Sequence, residues 1–187
     1  MPCPPSAAPT YGYKVTPPNA GCVNVETRSA FSTIDRGLEG ALLLDAGKDN
    51  VAFHGDIYGR RSSDYAIPGH PYLAAPEVDT GGRQPNSGTR SYGGAIGGSY
   101  FFNGGFIGAS VTHNALRYGI PGQESASVNE RIDAEQTQLR VKGEYRPDAS
   151  AIEAIRFWAG ATDYKHKELG LEDTSDPTSD SVHQIFT

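Results

Sequence analysis

Breaks in the sequence divide the chain into strand-length segments, and these breaks alternate between two lengths. Short turns are predicted at 46–50, 103–105 and 146–150, and long loops at 61–89, 119–130 and 169–181. All six are rich in the Gly, Pro, Asn, Asp and Ser residues that interrupt regular structure. If the segments between them are consecutive antiparallel strands, all the predicted short turns lie at one end of the sheet and all the predicted long loops at the other.

The segments between the breaks show a two-residue period, which is typical of strands with one polar face. In 132–145, polar Gln138, Arg140, Lys142 and Glu144 alternate with apolar or small residues. Residues 51–60 and 106–118 alternate in the same way. Further strand-like runs are predicted at 22–27, 38–45, 90–102, 152–168 and 182–187.

Composition excludes several classes of protein. The chain contains 23 glycines and only 37% hydrophobic residues, which favours short strands and tight turns over helices. A net charge of −6 argues against nucleic-acid binding through a basic surface. No nucleophile elbow, phosphate loop or dinucleotide motif is present, so neither an enzyme nor a cofactor is predicted. Cys3 and Cys22 lack metal-site spacing and are interpreted as incidental thiols, with a disulfide as the alternative.

Short turns lie at one end of the predicted sheet and long loops at the other, and the strands have one polar face. Together these features predict an all-β antiparallel meander from a transmembrane β-barrel of the outer membrane. Seven to eight strand-like runs are too few to close a large barrel, so the sheet is expected to be open and incomplete. Unpaired edge amides are costly in lipid, so the isolated chain is expected to aggregate or to form an open sheet. Aromatic residues near the short turns are predicted to form one interfacial girdle: Tyr100, Phe101, Phe102, Phe106 and Tyr145.

The first 20 residues differ from the rest of the chain. They carry proline at positions 2, 4, 5, 9, 17 and 18 and are predicted to be disordered. The start, Met1-Pro2-Cys3-Pro4-Pro5, has neither a positively charged region nor an apolar one, so it does not predict a secretory signal.

Four short motifs follow one another along the chain. They are Asp56-Ile57-Tyr58-Gly59-Arg60-Arg61 with Pro68-Gly69, then Gly104-Gly105-Phe106-Ile107-Gly108, Tyr118-Gly119-Ile120-Pro121-Gly122, and Asp163-Tyr164-x-His166-x-Glu168. In this order they resemble the TonB-dependent outer-membrane receptors, in particular the branch that imports metal ions and siderophores. Cys22-Val23-Asn24-Val25 resembles the end of that family's plug domain, so the resemblance covers residues 21–187.

The resemblance implies a domain organisation and a function. Residues 1–20 precede the fold, 21–27 are a remnant of the plug's last strand, and 28–187 are the first part of a 22-stranded barrel. The parent protein would take up a metal ion or metal chelate across the outer membrane. Its partners would be outer-membrane lipid, the TonB complex acting through the plug, and the transported ligand. This chain lacks nearly all of the plug, so it is expected to be a gene fragment that is inactive alone.

Three groups of residues are candidates for ligand contact. Tyr164, His166 and Glu168 share a strand face, and imidazole with carboxylate suits a divalent transition metal, although a polar barrel rim would look the same. A second group is predicted to face the barrel lumen, where it would contact the plug, line a path for an anionic chelate or simply be solvated: His54, Asp56, Arg140, Lys142, Glu144 and Arg156. His70, Tyr72 and Tyr118 are predicted to make extracellular loop contacts.

Two other classes of protein fit part of the pattern. One is a small standalone outer-membrane barrel with a structural or adhesive role. The other is a soluble β-sandwich that binds a ligand, since a sandwich strand with its charges in water would alternate as 132–145 does.

Overall fold

The computed structural model is one open sheet of seven antiparallel strands. It describes residues 21–72, 79–122, 129–148 and 151–170, and no helix occurs within these ranges. The strands are β1 (Cys22–Ser32), β2 (Gly37–Lys48), β3 (Val51–Arg61), β4 (Thr89–Phe102), β5 (Gly105–Gly119), β6 (Arg131–Tyr145) and β7 (Ile155–Leu169). Each strand pairs with its neighbour in sequence. The predicted all-β antiparallel meander is confirmed, whereas residues 1–20 and the run 182–187 lie outside the described residues.

The first strand belongs fully to this sheet. β1 pairs with β2 along its whole length, from Cys22 opposite Gly47 to Ser32 opposite Gly37, and it crosses the predicted boundary at residue 27 without a break. The sequence did not predict the turn at 33–36. In this turn, Arg60 lies 2.6 Å from an Asp35 carboxylate oxygen. The Ser32 hydroxyl, with the Gly37 amide and Arg60, lowers the pKa of Asp35. The long-loop end of the sheet therefore carries one short turn as well.

Two of the short turns are tighter than predicted. β2 and β3 are joined by two residues only, Asp49 and Asn50, and Asp49 adopts a φ of 53°. β4 and β5 are joined by Asn103 and Gly104, where Gly104 has a φ of 77°. Positive φ is what two-residue hairpin turns of this kind require. The third connection is longer than predicted, because β7 begins at Ile155.

The long loop between β3 and β4 has an ordered base. One Asp64 carboxylate oxygen accepts hydrogen bonds from the Ser87 and Gly88 amides at 2.8 and 3.0 Å. Ala66 and Arg83 form an isolated antiparallel bridge. The prediction that regular pairing is absent throughout 61–89 is therefore wrong at this base, where the two sides of the loop continue to pair beyond the strands.

The burial of side chains on the two faces of the sheet is the reverse of that in a soluble domain. On the face that we call the apolar face, register places Leu42 beside Ile57 and Val111 beside Leu139. Large apolar side chains on this face are exposed; the exposed fraction of Ile57 is 62%. On the opposite, polar face, four polar side chains are buried: Asp45, His54, Ser99 and Ser110. Soluble domains bury their apolar residues and solvate their polar ones.

The predicted aromatic cluster is divided between these faces. Tyr100, Phe102 and Tyr145 lie on the apolar face, with ring centroids 6.4 Å apart for the first pair and 6.2 Å for the second. Phe101 and Phe106 contact each other on the polar face, and Phe101 is buried. The prediction that all five form one girdle is wrong, because adjacent residues of a strand point to opposite faces.

Apolar residues on the apolar face form a band that runs obliquely across the strands. On β2 the band extends from Leu38 to Ala46, and on β7 it extends from Ala161 to Ile155. Followed from strand to strand, the registers place Ala161 of β7 level with Leu44 of β2. The upper border of the band is at Leu38 on β2, so on β7 it lies six residues lower along the strand. That drop is about 20 Å over five strand spacings of about 4.8 Å, so the band is inclined by about 40° to the rows of paired residues.

Two glycines of the apolar face provide a test of this pairing. A Cβ on Gly94 would lie 2.4 Å from the backbone oxygen of Asp56, whereas a Cβ on Gly40 would meet nothing closer than 3.8 Å. We expect Gly94→Ala to force β3 and β4 apart and to lower the free energy of unfolding by about 1–3 kcal/mol. Urea unfolding of the chain in detergent micelles, followed by circular dichroism, measures this. The control Gly40→Ala should shift little, and equal shifts for both would contradict the described register.

Candidate functional site

The polar face brings the predicted lumen residues together on one surface. Register aligns Asp45 with His54 across β2 and β3, and Ser110 with Arg140 across β5 and β6. All six predicted residues lie on this face: His54, Asp56, Arg140, Lys142, Glu144 and Arg156. They form two separate centres, one around His54 and one on β6 and β7.

The first centre is a histidine held between two carboxylates. His54 Nδ1 lies 2.8 Å from Asp45 Oδ1, and His54 Nε2 lies 2.9 Å from Asp56 Oδ2. The His54 side chain is almost fully buried, with 1% of its surface exposed. The sequence indicated the pair His54 and Asp56 but not Asp45, which pairs with His54 only because the turn at 49–50 has two residues.

The His54 ring bridges the two acidic side chains of this centre. One ring nitrogen contacts Asp45 and the other contacts Asp56, so both polar atoms of the ring have a partner. Removing the ring would leave two carboxylates close together on a largely buried surface. The arrangement therefore ties β2 to β3 on the polar face.

The second centre is a basic groove across β6 and β7. The groove has a volume of 610 Å³ and is lined in part by Arg140, Lys142, Arg156 and Trp158. The Trp158 side chain is strongly exposed on this polar face, at 78% of its surface. Gln138 and Thr162 add polar groups, joined by a hydrogen bond of 3.1 Å. Cationic groups beside an indole ring suit a planar or anionic ligand.

One carboxylate organises the lower end of this groove. Glu144 accepts hydrogen bonds from Arg146 at 2.6 Å and from Arg156 at 2.7 Å, one on each oxygen. Arg140 and Lys142 lie above it on the same strand and face. Glu153 acts electrostatically on Arg156 as well, so four cations and two anions leave this end of the groove with a formal charge of +2.

The predicted metal residues lie at the opposite end of β7. Tyr164, His166 and Glu168 pair with Gln136, Ala134 and Ile132 and share the polar face. The Tyr164 hydroxyl lies 3.3 Å from His166 Nδ1. Within the described ranges, no three His, Cys, Asp or Glu side chains are grouped so as to hold a metal ion. Metal binding by His166 and Glu168 stays a prediction, and it would need further donors from the ligand.

The outer loops contact each other through residues that were only partly predicted. Tyr72 donates its hydroxyl hydrogen to the Gly122 carbonyl at 3.4 Å. Asn86, which the sequence did not single out, donates to the carbonyls of Ile120 at 3.0 Å and Glu130 at 2.6 Å. The residues around Asn86 in the sequence indicate a loop, but they do not indicate these hydrogen-bond partners. The other two residues predicted to make loop contacts lie in different places. His70 is exposed in the loop, whereas Tyr118 lies inside β5.

Cys22 does not fit the interpretation as an incidental thiol. It is buried at the start of β1 and is disulfide-bonded. That interpretation is therefore wrong for Cys22, and Cys3 lies outside the described residues.

Comparisons with known proteins add no identification. No protein-family model matches the chain, and no curated protein matches it. The described part of the chain contains no helix of the length and hydrophobicity needed to span a membrane. The resemblance to TonB-dependent receptors therefore stays a prediction from the motifs.

The histidine centre generates a stability prediction. His54→Ala should lower the free energy of unfolding by about 3–5 kcal/mol, because it leaves the acidic side chains of Asp45 and Asp56 facing each other without the ring that bridges them. The matched control is His113→Ala, which removes an exposed histidine with one hydrogen bond of 2.9 Å to Thr137. The control should cost less than about 1 kcal/mol. Urea unfolding in micelles compares them, and similar losses would contradict a central role for His54.

Proposed function

We propose that the chain forms part of the wall of an outer-membrane β-barrel belonging to a TonB-dependent receptor. The apolar face would contact lipid and the polar face would line the interior. The observation that carries the proposal is the reversed burial of the two faces. Ile57 and Ile96 have exposed fractions of 62% and 57%, whereas His54 and Ser110 have exposed fractions of 1% and 3%. Lipid is the solvent in which this distribution is favourable.

The slant of the apolar band supports the same proposal. Strands of membrane barrels are tilted by about 35–45°, so a band parallel to the membrane must cross the rows of paired residues at a similar angle. The band on this sheet is inclined by about 40°. On β3 it extends from Val51 to Gly59, which is about 27 Å along the strand and about 21 Å along the membrane normal at this tilt. That height is close to the hydrophobic band of outer-membrane barrels, about 25 Å.

A soluble sandwich is less compatible with this sheet. Such a fold needs a second sheet packed on the apolar face. The described residues form one sheet only, and Val25, Ile57 and Ile96 on this face are each more than half exposed. The apolar face therefore favours lipid as its partner.

The edges of the sheet bear on the choice between a large and a small barrel. β1 and β7 each pair on one side only among the described strands. An open edge is unfavourable in lipid, so further strands would have to continue the sheet at both edges. We therefore assign these strands to a larger barrel. Transport would be a property of the closed barrel and not of these strands alone.

Refolding in detergent tests that choice. We expect the chain to give no compact species that migrates differently on gels before and after heating, because an open sheet lacks the closed hydrogen-bonding of a barrel. A compact, heat-modifiable monomer would contradict the larger barrel and would support the small standalone barrel.

The cargo that best fits the polar face is an anionic metal chelate. Arg140 and Lys142 supply positive charge in the groove, and Trp158 supplies an exposed ring. His166 and Tyr164 add metal-binding donors higher on β7, where a chelate with free coordination positions could be held. Outer loops would bind the chelate first, and the TonB complex would act through the plug. No step involves covalent chemistry.

Ferric citrate is a suitable anionic probe of this proposal. We expect it to quench the fluorescence of Trp158 in micelle-bound chain, and Arg140→Gln to weaken this binding by about tenfold through loss of a charge-assisted contact. Arg28→Gln is the control, since Arg28 lies on the same face at β1 and pairs with Glu26 at 2.6 Å. Equal quenching curves for the native chain and Arg140→Gln would contradict a chelate path along this groove.

A further inference from the structure

Three arginines lie side by side on the apolar face. Register places Arg61 of β3 directly opposite Arg90 of β4, and Arg90 directly opposite Arg117 of β5. Like charges at directly opposed positions of neighbouring strands destabilise a sheet. This arginine row therefore has an unfavourable energy unless an anion compensates it.

Among the described residues, only one end of the arginine row is compensated by an ion pair. Arg117 forms a two-pronged ion pair with Asp133, at 2.7 and 2.9 Å. Arg61 and Arg90 are both exposed, and in the described ranges neither has a hydrogen-bond or ion-pair partner. Three cations and one anion leave the row with a formal charge of +2, which is concentrated on β3 and β4.

The position of the arginine row indicates the kind of anion. The row lies at the upper border of the apolar band, at the long-loop end of the strands. Ile57 and Tyr92 lie below it on the same face, and both are at least half exposed, at 62% and 50%. A partner that fits this surface has a negative group level with the arginines and a hydrocarbon part that extends down the band. Tyrosine is typical of this boundary between hydrocarbon and headgroups.

We infer that Arg61 and Arg90 bind the phosphate of a lipid headgroup whose acyl chains lie along the apolar band. This inference rests on the proposed membrane location of the apolar face. Neighbouring strands are about 4.8 Å apart, so two guanidinium groups can approach one phosphate from adjacent strands. Guanidinium groups match phosphate oxygens in geometry as well as charge.

The binding position is on the β3 side of Arg90. On its β5 side, a hollow of 220 Å³ is bordered by Asp133 and Glu135, whose carboxylates repel a phosphate. On the β3 side, Arg61 faces Leu38 of β2, so no acidic side chain is directly opposed to it. The lipid is thus held by two cations of β3 and β4, above the exposed Ile57.

Native mass spectrometry of the chain released from mixed micelles tests this inference. The micelles contain equal amounts of phosphatidic acid and phosphatidylcholine with the same acyl chains. We expect the chain to retain phosphatidic acid preferentially, and the double variant Arg61→Gln/Arg90→Gln to lose this preference by about fivefold for each arginine. Lys48→Gln is the matched control, because Lys48 is a cation of the same face at the opposite border of the band, and it should keep the preference.

The outcomes separate this inference from the proposed function. A chain that acquires its β-structure in water and does not associate with micelles contradicts the membrane location itself. A chain that folds in micelles but retains both lipids equally, or keeps its preference in the double variant, contradicts the phosphate site alone. Displacement of the lipid by excess inorganic phosphate would also overturn the inference, since it would show that the arginines bind free phosphate without contribution from the band.

Discussion

Strand register is the constraint on which the rest of this structure depends. Side chains alternate between faces with a period of two, so a slip of one residue would move every side chain of a strand to the other face. The two-residue turn at Asp49 and Asn50 excludes such a slip between β2 and β3. In the observed register Leu42 is beside Ile57 on one face, and Asp45 is beside His54 on the other.

The same constraint links the stability of the sheet to its proposed function. The polar face concentrates the hydrogen-bonded His54 centre and the cations of β6, and the apolar face carries large exposed apolar side chains. Neither face is adapted to the solvent of the other. The boundary of the apolar face is charged, with Arg61 and Arg90 at one border and Lys48 at the other. An apolar band, charged borders and a polar opposite face are the three features on which the proposal of a lipid-facing wall rests.

Much of this architecture was accessible from the sequence because alternation and turn residues are local signals. The strand-like character of 132–145 and the separation of long loops from short turns needed no tertiary information. The contact partners of individual side chains could not all be predicted from such local signals. Asp45 could be paired with His54 only once the turn was known to have two residues. The placement of Phe101 and Phe102 on opposite faces, by contrast, follows from the two-residue period alone. The contacts of Asn86 with Ile120 and Glu130 join two distant loops, so no local pattern indicates them.

In the proposed barrel wall, the apolar face contacts hydrocarbon and the polar face does not. The chain has a single tryptophan, Trp158, on the polar face, and the adjacent Phe157 lies on the apolar face at the same height. Fluorescence quenching by micelles with brominated alkyl chains compares the native chain with the variant Phe157→Trp/Trp158→Phe. If the apolar face contacts hydrocarbon, tryptophan at position 157 is strongly quenched and tryptophan at position 158 is weakly quenched. Equal quenching at both positions, or stronger quenching of Trp158, would contradict it.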